Sequence, residues 1–153
     1  MQAEERASRA RQNFESGCNC PQSVVGAFDD VVARQGMDPE VALRLASPFG
    51  GGMGRLREVC GAVSGSLMVL GLVEGYSDPT IYDGKARLYE QVQELAARFR
   101  EENGSILCRE LLGLEEGPSS ARPEERTESY YAARPCAELC ASAARILSEH
   151  LGE

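Results

Sequence analysis

The stretch from Phe49 to Met68, FGGGMGRLREVCGAVSGSLM, constrains this chain more than any other. A glycine run passes two arginines, reaches one cysteine, and enters a segment of small uncharged residues extending to Val73. A P-loop needs G-x-x-x-x-G-K-[ST] after a strand, but no Lys follows here and the preceding PEVALRLASP has helical grammar. No register of Gly50, Gly51, Gly52 and Gly54 gives G-x-G-x-x-G. The run therefore reads as a tight turn whose glycines take positive φ or allow close approach. Interior glycines cost a helix about 1 kcal/mol each against Ala, so the segment carrying Gly61, Gly65 and Gly71 can be helical only where it is buried. It is expected as a central helix. Gly61 and Gly65, four apart, form a flat notch for another helix or a cofactor. Gly51, Gly52, Gly61 and Gly65 are the candidate cofactor-facing glycines.

Helix signals dominate the rest. AEERASRARQNFES is an amphipathic start ending at Gly17, and NCPQSVVGAFDDVVARQG runs from an early Pro21 to a capping Gly36. Asp38 caps DPEVALRLA, with Pro39 at the first helical position. Leu88, Val92, Leu95 and Phe99 keep helical spacing in a long helix stopping at Asn103-Gly104. Ser105 is the expected cap of SILCRELLG, and residues from about 114 to 127 read as an exposed loop. The last segment places Cys136, Leu139, Cys140, Ala143 and Leu147 on one face. No alternating strand pattern or internal repeat stands out. The expectation is one all-α domain over residues 1–153, with six or seven helices.

A charge of −8 argues against nucleic acid or an anionic membrane as partner. The uncharged stretch from Val59 to Val73 is shorter than the roughly 20 residues of a membrane span, and the charged N-terminus has no signal-peptide core. These features point to a cytoplasmic protein without membrane insertion. Six cysteines, about 4% of the chain, are too few for the roughly 8–10% of a disulfide scaffold. In a reducing compartment they serve as ligands, redox groups or core residues.

Cysteine position is more informative than spacing, since no C-x-x-C pair exists. Cys20, Cys60, Cys108 and Cys136 all fall near expected helix starts, where unpaired N–H groups and the helix dipole favour a thiolate. Arg55, Arg57 and Arg109 add positive charge nearby. Cys18 lies just outside a helix start. Cys140, one turn beyond Cys136, is about 5–6 Å from it by helical spacing, too far for a disulfide's roughly 3.8 Å between Cβ atoms. That pair can ligate one metal or line the core. The lone histidine, His150, reads as solvated, leaving Cys60 without an obvious base.

NCPQSVVGAF, FGGGMGRLREVCGAVSGSLMVLGL, CRELLG and CAELCASAARIL together resemble a family described as redox-active and named for the pattern C_GCAxxG_C_C. Residues 60–65, CGAVSG, match its central signature. The resemblance implies four family cysteines, carried onto Cys20, Cys60, Cys108 and Cys136, with Cys18 and Cys140 outside the pattern. Pro21 stands where the resemblance implies Ala. It also implies a link to a transporter, but no settled cofactor or redox partner. The two functions carried forward are a redox protein and a helical module. In the redox protein the four thiols meet, as iron–sulfur ligands or as exchanging dithiols, with Cys140 as an auxiliary ligand. The non-catalytic module, monomeric or a homodimer, has structural zinc or plain buried cysteines.

Overall fold

The computed structural model describes residues 1–115 and 117–153. It is all-α, with nine helices among the described residues, more than the six or seven expected. Strand-like pairing there is limited to one antiparallel bridge between Val59 and Leu107. No described helix is long and apolar enough to cross a membrane.

Helix α1 (Ala3–Glu15) buries Ala7, Ala10 and Phe14 along one stripe, and packs against the C-terminal helix α9 (Cys136–Leu151). The segment expected as one helix from Cys20 to Gly36 is two, α2 (Cys20–Gly26) and α3 (Asp29–Arg34). The break has a tertiary cause. Arg6, buried in α1, donates to the Ala27 carbonyl at 2.9 Å and to both carboxylate oxygens of Asp30 at the start of α3. Its guanidinium also lies 4.6 Å from the centre of the Phe28 ring. One buried cation thus satisfies the carbonyl freed by the break and anchors the next helix.

Asp38 caps α4 (Pro39–Ala46), accepting from the Glu40 amide at 2.8 Å. After a 3₁₀ turn at Ser47–Phe49 the glycine run winds left-handed. Gly51, Gly52, Met53, Gly54, Arg55 and Arg57 all have φ between 56° and 69°. Left-handed backbone costs a residue with a Cβ about 1–2 kcal/mol, so Met53, Arg55 and Arg57 hold real strain. Backbone bonds from Arg55 to Gly50, Arg57 to Gly51 and Glu58 to Gly52 fix the coil.

Helix α5 (Gly61–Glu74) is buried over most of its first ten residues and opens at Gly71. With α9 it shares the centre of the molecule. A Cβ on Gly61 would stand 2.6 Å from Pro21 Cδ, and one on Gly65 2.8 Å from the Pro21 carbonyl oxygen. The expected notch therefore receives a helix, α2. The long α6 (Tyr82–Asn103) buries Leu95 and Phe99 and ends on Gly104. Helix α7 (Cys108–Leu111) starts two residues later than a Ser105 cap suggests, since residues 106–108 are drawn into pairing with residues 58–60. The expected loop at 114–127 carries no helix among its described residues, Glu116 lying outside them. It leads to α8 (Glu128–Ala133), capped by Thr127.

Candidate functional site

Cys20, Cys60, Cys108 and Cys136 line one cavity of about 270 Å³. Each enters from a different helix start. Cys20, Cys108 and Cys136 are the first residues of α2, α7 and α9, and Cys60 is the N-cap of α5. Two mechanisms bring them together. The Cys60 amide donates to the Ile106 carbonyl and the Cys108 amide to the Glu58 carbonyl, each at 2.7 Å, which fixes two thiols side by side. The crossing of α2 with α5 and α9 supplies the other two. Gly52 lies directly behind Cys108, where a Cβ would come within 2.8 Å of the Cys108 Cβ.

The Cys20 thiol lies close enough to those of Cys136 and Cys140 for both to shift its pKa. The Cys140 thiol also reaches the Cys20 carbonyl at 3.7 Å. Cys140 is completely buried beneath α2 and outside the cavity lining. Cys18 is half-buried and lines a separate hollow between α1, α2 and α4. Among the candidate glycines, Gly51, Gly52 and Gly61 line the cavity and Gly65 does not.

Helix starts do not make these thiols acidic. Burial pushes Cys60 up to about 12, overriding the Ala62 and Val63 amides that favour its thiolate. For Cys136, the neighbouring Cys20 thiol comes first and burial second, and both raise its pKa. The Cys20 thiol is lowered by Cys136, but Cys140 and burial outweigh this and leave it well raised. Burial likewise raises Cys140. Sequence position alone pointed to thiolates at these sites. Burial, together with the mutual effects of Cys20, Cys136 and Cys140, instead holds Cys20, Cys60, Cys136 and Cys140 as neutral thiols near pH 7.

The arginines are arranged differently from the sequence-based expectation. Arg57, 4% exposed, donates from Nη1 to Cys108 Sγ at 3.5 Å and from Nε to Ser119 Oγ at 2.9 Å. Arg109 turns to Glu58 and the Arg57 carbonyl. Arg55 donates to the Ser120 carbonyl. The segment from Ser119 to Arg134 closes the cavity with Glu124, Arg126, Tyr130 and Arg134, none of which sequence reasoning selected. Their signal was faint: Arg122, Arg126 and Arg134 interspersed with glutamates around paired tyrosines. His150 is not solvated but held by Gln91 at 2.8 Å, and it does not line the cavity.

As placed, no three His, Cys, Asp or Glu side chains among the described residues form a group that could hold a metal ion. The four thiols nevertheless share one cavity.

No curated protein and no solved structure matches the chain. A family model does match, from residue 18 to residue 150, and takes in all six cysteines. With that match covering most of its length, the chain belongs to the family described as "Putative redox-active protein (C_GCAxxG_C_C)".

Proposed function

We propose that this redox protein works by thiol–disulfide exchange, with Cys20 and Cys136 as its dithiol. The observation that carries the reading is that these two thiols, at the starts of α2 and α9, line the same open cavity and each shifts the other's pKa. Exchange with a partner disulfide balances without another reagent. Two thiols become the Cys20–Cys136 disulfide, and the partner's S–S bond becomes two thiols by taking up the two protons and two electrons. A neutral thiol must lose its proton to attack, so exchange is slow until a base or the partner accepts that proton. Cys60 and Cys108 form the second pair, lining the same cavity. A cytoplasmic setting would keep all four reduced between encounters, and a transporter-linked protein is one candidate source of the partner disulfide.

The test is a peptide map after stoichiometric oxidation with a small disulfide. The reading requires loss of two thiols per chain and a peptide linking Cys20 to Cys136. Replacement of either residue by Ser should abolish that link, whereas Cys18→Ser should leave it intact. Purification without oxygen, followed by elemental analysis, separates this reading from an iron–sulfur carrier and from a zinc-bearing module. Stoichiometric iron or zinc on these cysteines would displace it.

A further inference from the structure

We propose that the thiol cavity is an anion site, so that the protein's small-molecule substrate carries a carboxylate, phosphate or sulfonate group seated on Arg57. This rests on the cavity being the redox site argued above and names the class of compound that enters it.

Two arginines are buried among the described residues, Arg6 and Arg57. Buried charges are normally paired, because desolvating an ion costs several kcal/mol unless a counter-charge answers it. Arg6 follows the rule, holding Asp30 through two nitrogens. Arg57 does not. Among the described residues it has no carboxylate partner, only the Ser119 hydroxyl, the Cys108 sulfur and the cavity itself. Its Nη2 donates to no described residue.

The rest of the wall has the same sign. Arg55, Arg126 and Arg134 also face the cavity, against one carboxylate, Glu124. Glu124 is already engaged by Arg134 at 2.8 Å. Arg55 and Arg126, like Arg57, have no carboxylate partner among the described residues. A chain of net charge −8 has thus gathered four guanidiniums around its thiols against one carboxylate, Glu124, which feels Arg55 and Arg57 as well as Arg134. Guanidinium nitrogens match the oxygens of carboxylate, phosphate and sulfonate groups, and low dielectric strengthens the pairing. Arg55 and Arg57 both hold left-handed backbone conformations, a strain that clusters at functional sites.

The test is the thermal midpoint of the fully reduced full-length chain in inorganic phosphate, against sodium chloride at equal ionic strength. Wild type, Arg57→Gln and Arg55→Gln are compared side by side. A ligand that binds only the folded state raises the midpoint in a saturable way. We expect saturation in wild type and an apparent affinity at least tenfold weaker in both variants. If Arg57→Gln does not fold, Arg55→Gln carries the comparison. A general salting-out effect would raise all three proteins alike without saturating. That result, or no phosphate dependence in wild type, overturns the proposal. Because every cysteine is reduced in this measurement, its failure leaves the Cys20–Cys136 disulfide standing, and failure of the peptide map leaves the anion site standing.

Discussion

At the scale of single residues, the competition at Cys60 is between a helix start that favours sulfur's anion and an interior that rejects it. The interior wins, with the thiol pushed up from 9.0 to about 12. The consequence for stability has a definite sign. Below pH 9 the thiol is protonated in both folded and unfolded chains, and the shift costs nothing. Between 9 and 12 the unfolded chain releases the proton while the folded one keeps it, so stability falls by about 1.4 kcal/mol per pH unit from this group. Denaturant midpoints of the reduced protein at pH 8 and pH 10 should differ accordingly, and by less in Cys60→Ala. An equal drop in that variant would place the cost elsewhere. Asp30 shows the opposite case. Its bond to Arg6 lowers it to about 2, so its contribution is present above pH 3.8 and lost as pH falls through 2. Asp30→Asn at pH 7 leaves buried Arg6 with only the Glu153 carboxylate, 4.0 Å away, as counter-charge and should destabilise by about 2 kcal/mol, measurable by urea denaturation.

Between elements, the decisive contact is α2 against α5, because it sets Cys20 opposite Cys60. A Cβ at position 65 would meet Pro21 backbone atoms at 2.8 and 2.9 Å, whereas one at position 71 meets nothing within 4 Å. Two similar glycines in one helix therefore predict opposite outcomes. Gly65→Ala should destabilise by about 1–3 kcal/mol through overpacking and weaken the Cys20–Cys136 pairing by displacing α2. Gly71→Ala should stabilise by about 0.5–1 kcal/mol through helix propensity alone. Thermal melts of the two variants decide the matter, and a stabilised Gly65→Ala would contradict the packing described. The same contact marks how much was legible in the sequence. The need for close approach at Gly61 and Gly65 could be read from their spacing, as could the stops at Gly36 and Gly104 and four cysteines near helix starts. The break at Phe28 could not, since Arg6 causes it from another helix. Nor could the late start of α7, which follows from pairing with residues 58–60, or the contact of Cys140 with Cys20, which exists only because α2 crosses α9. Local chemistry announces caps and turns; a partner distant in the chain leaves no local mark.

For the molecule as a whole, the cavity exists because the segment from Ser119 to Arg134 is drawn across the ends of the other helices, and one residue does most of the holding. Arg126 donates to the carbonyls of Phe14 and Cys18 at 3.0 and 3.1 Å. Its guanidinium lies 4.2 Å from the centre of the Phe14 ring, 5.1 Å from Tyr130 and 5.7 Å from Tyr131. Tyr131 adds a bond to the Glu15 carbonyl. Charge-assisted bonds contribute about 1.5–3 kcal/mol and a partly desolvated cation–π contact about 1–2 kcal/mol, enough to govern local opening without deciding global stability. The core beneath, α1 against α9 and α2 against α5, does not depend on this arginine. Arg126→Ala should therefore accelerate amide exchange over residues 127–134 by about tenfold or more while the core amides of α5 and α9 keep their protection. Alkylation of Cys136, at the junction between the strap and α9, should accelerate in parallel. Exchange rates unchanged over 127–134 would mean that the strap is held by something other than Arg126, and faster exchange throughout α5 and α9 would mean that strap and core unfold as one unit.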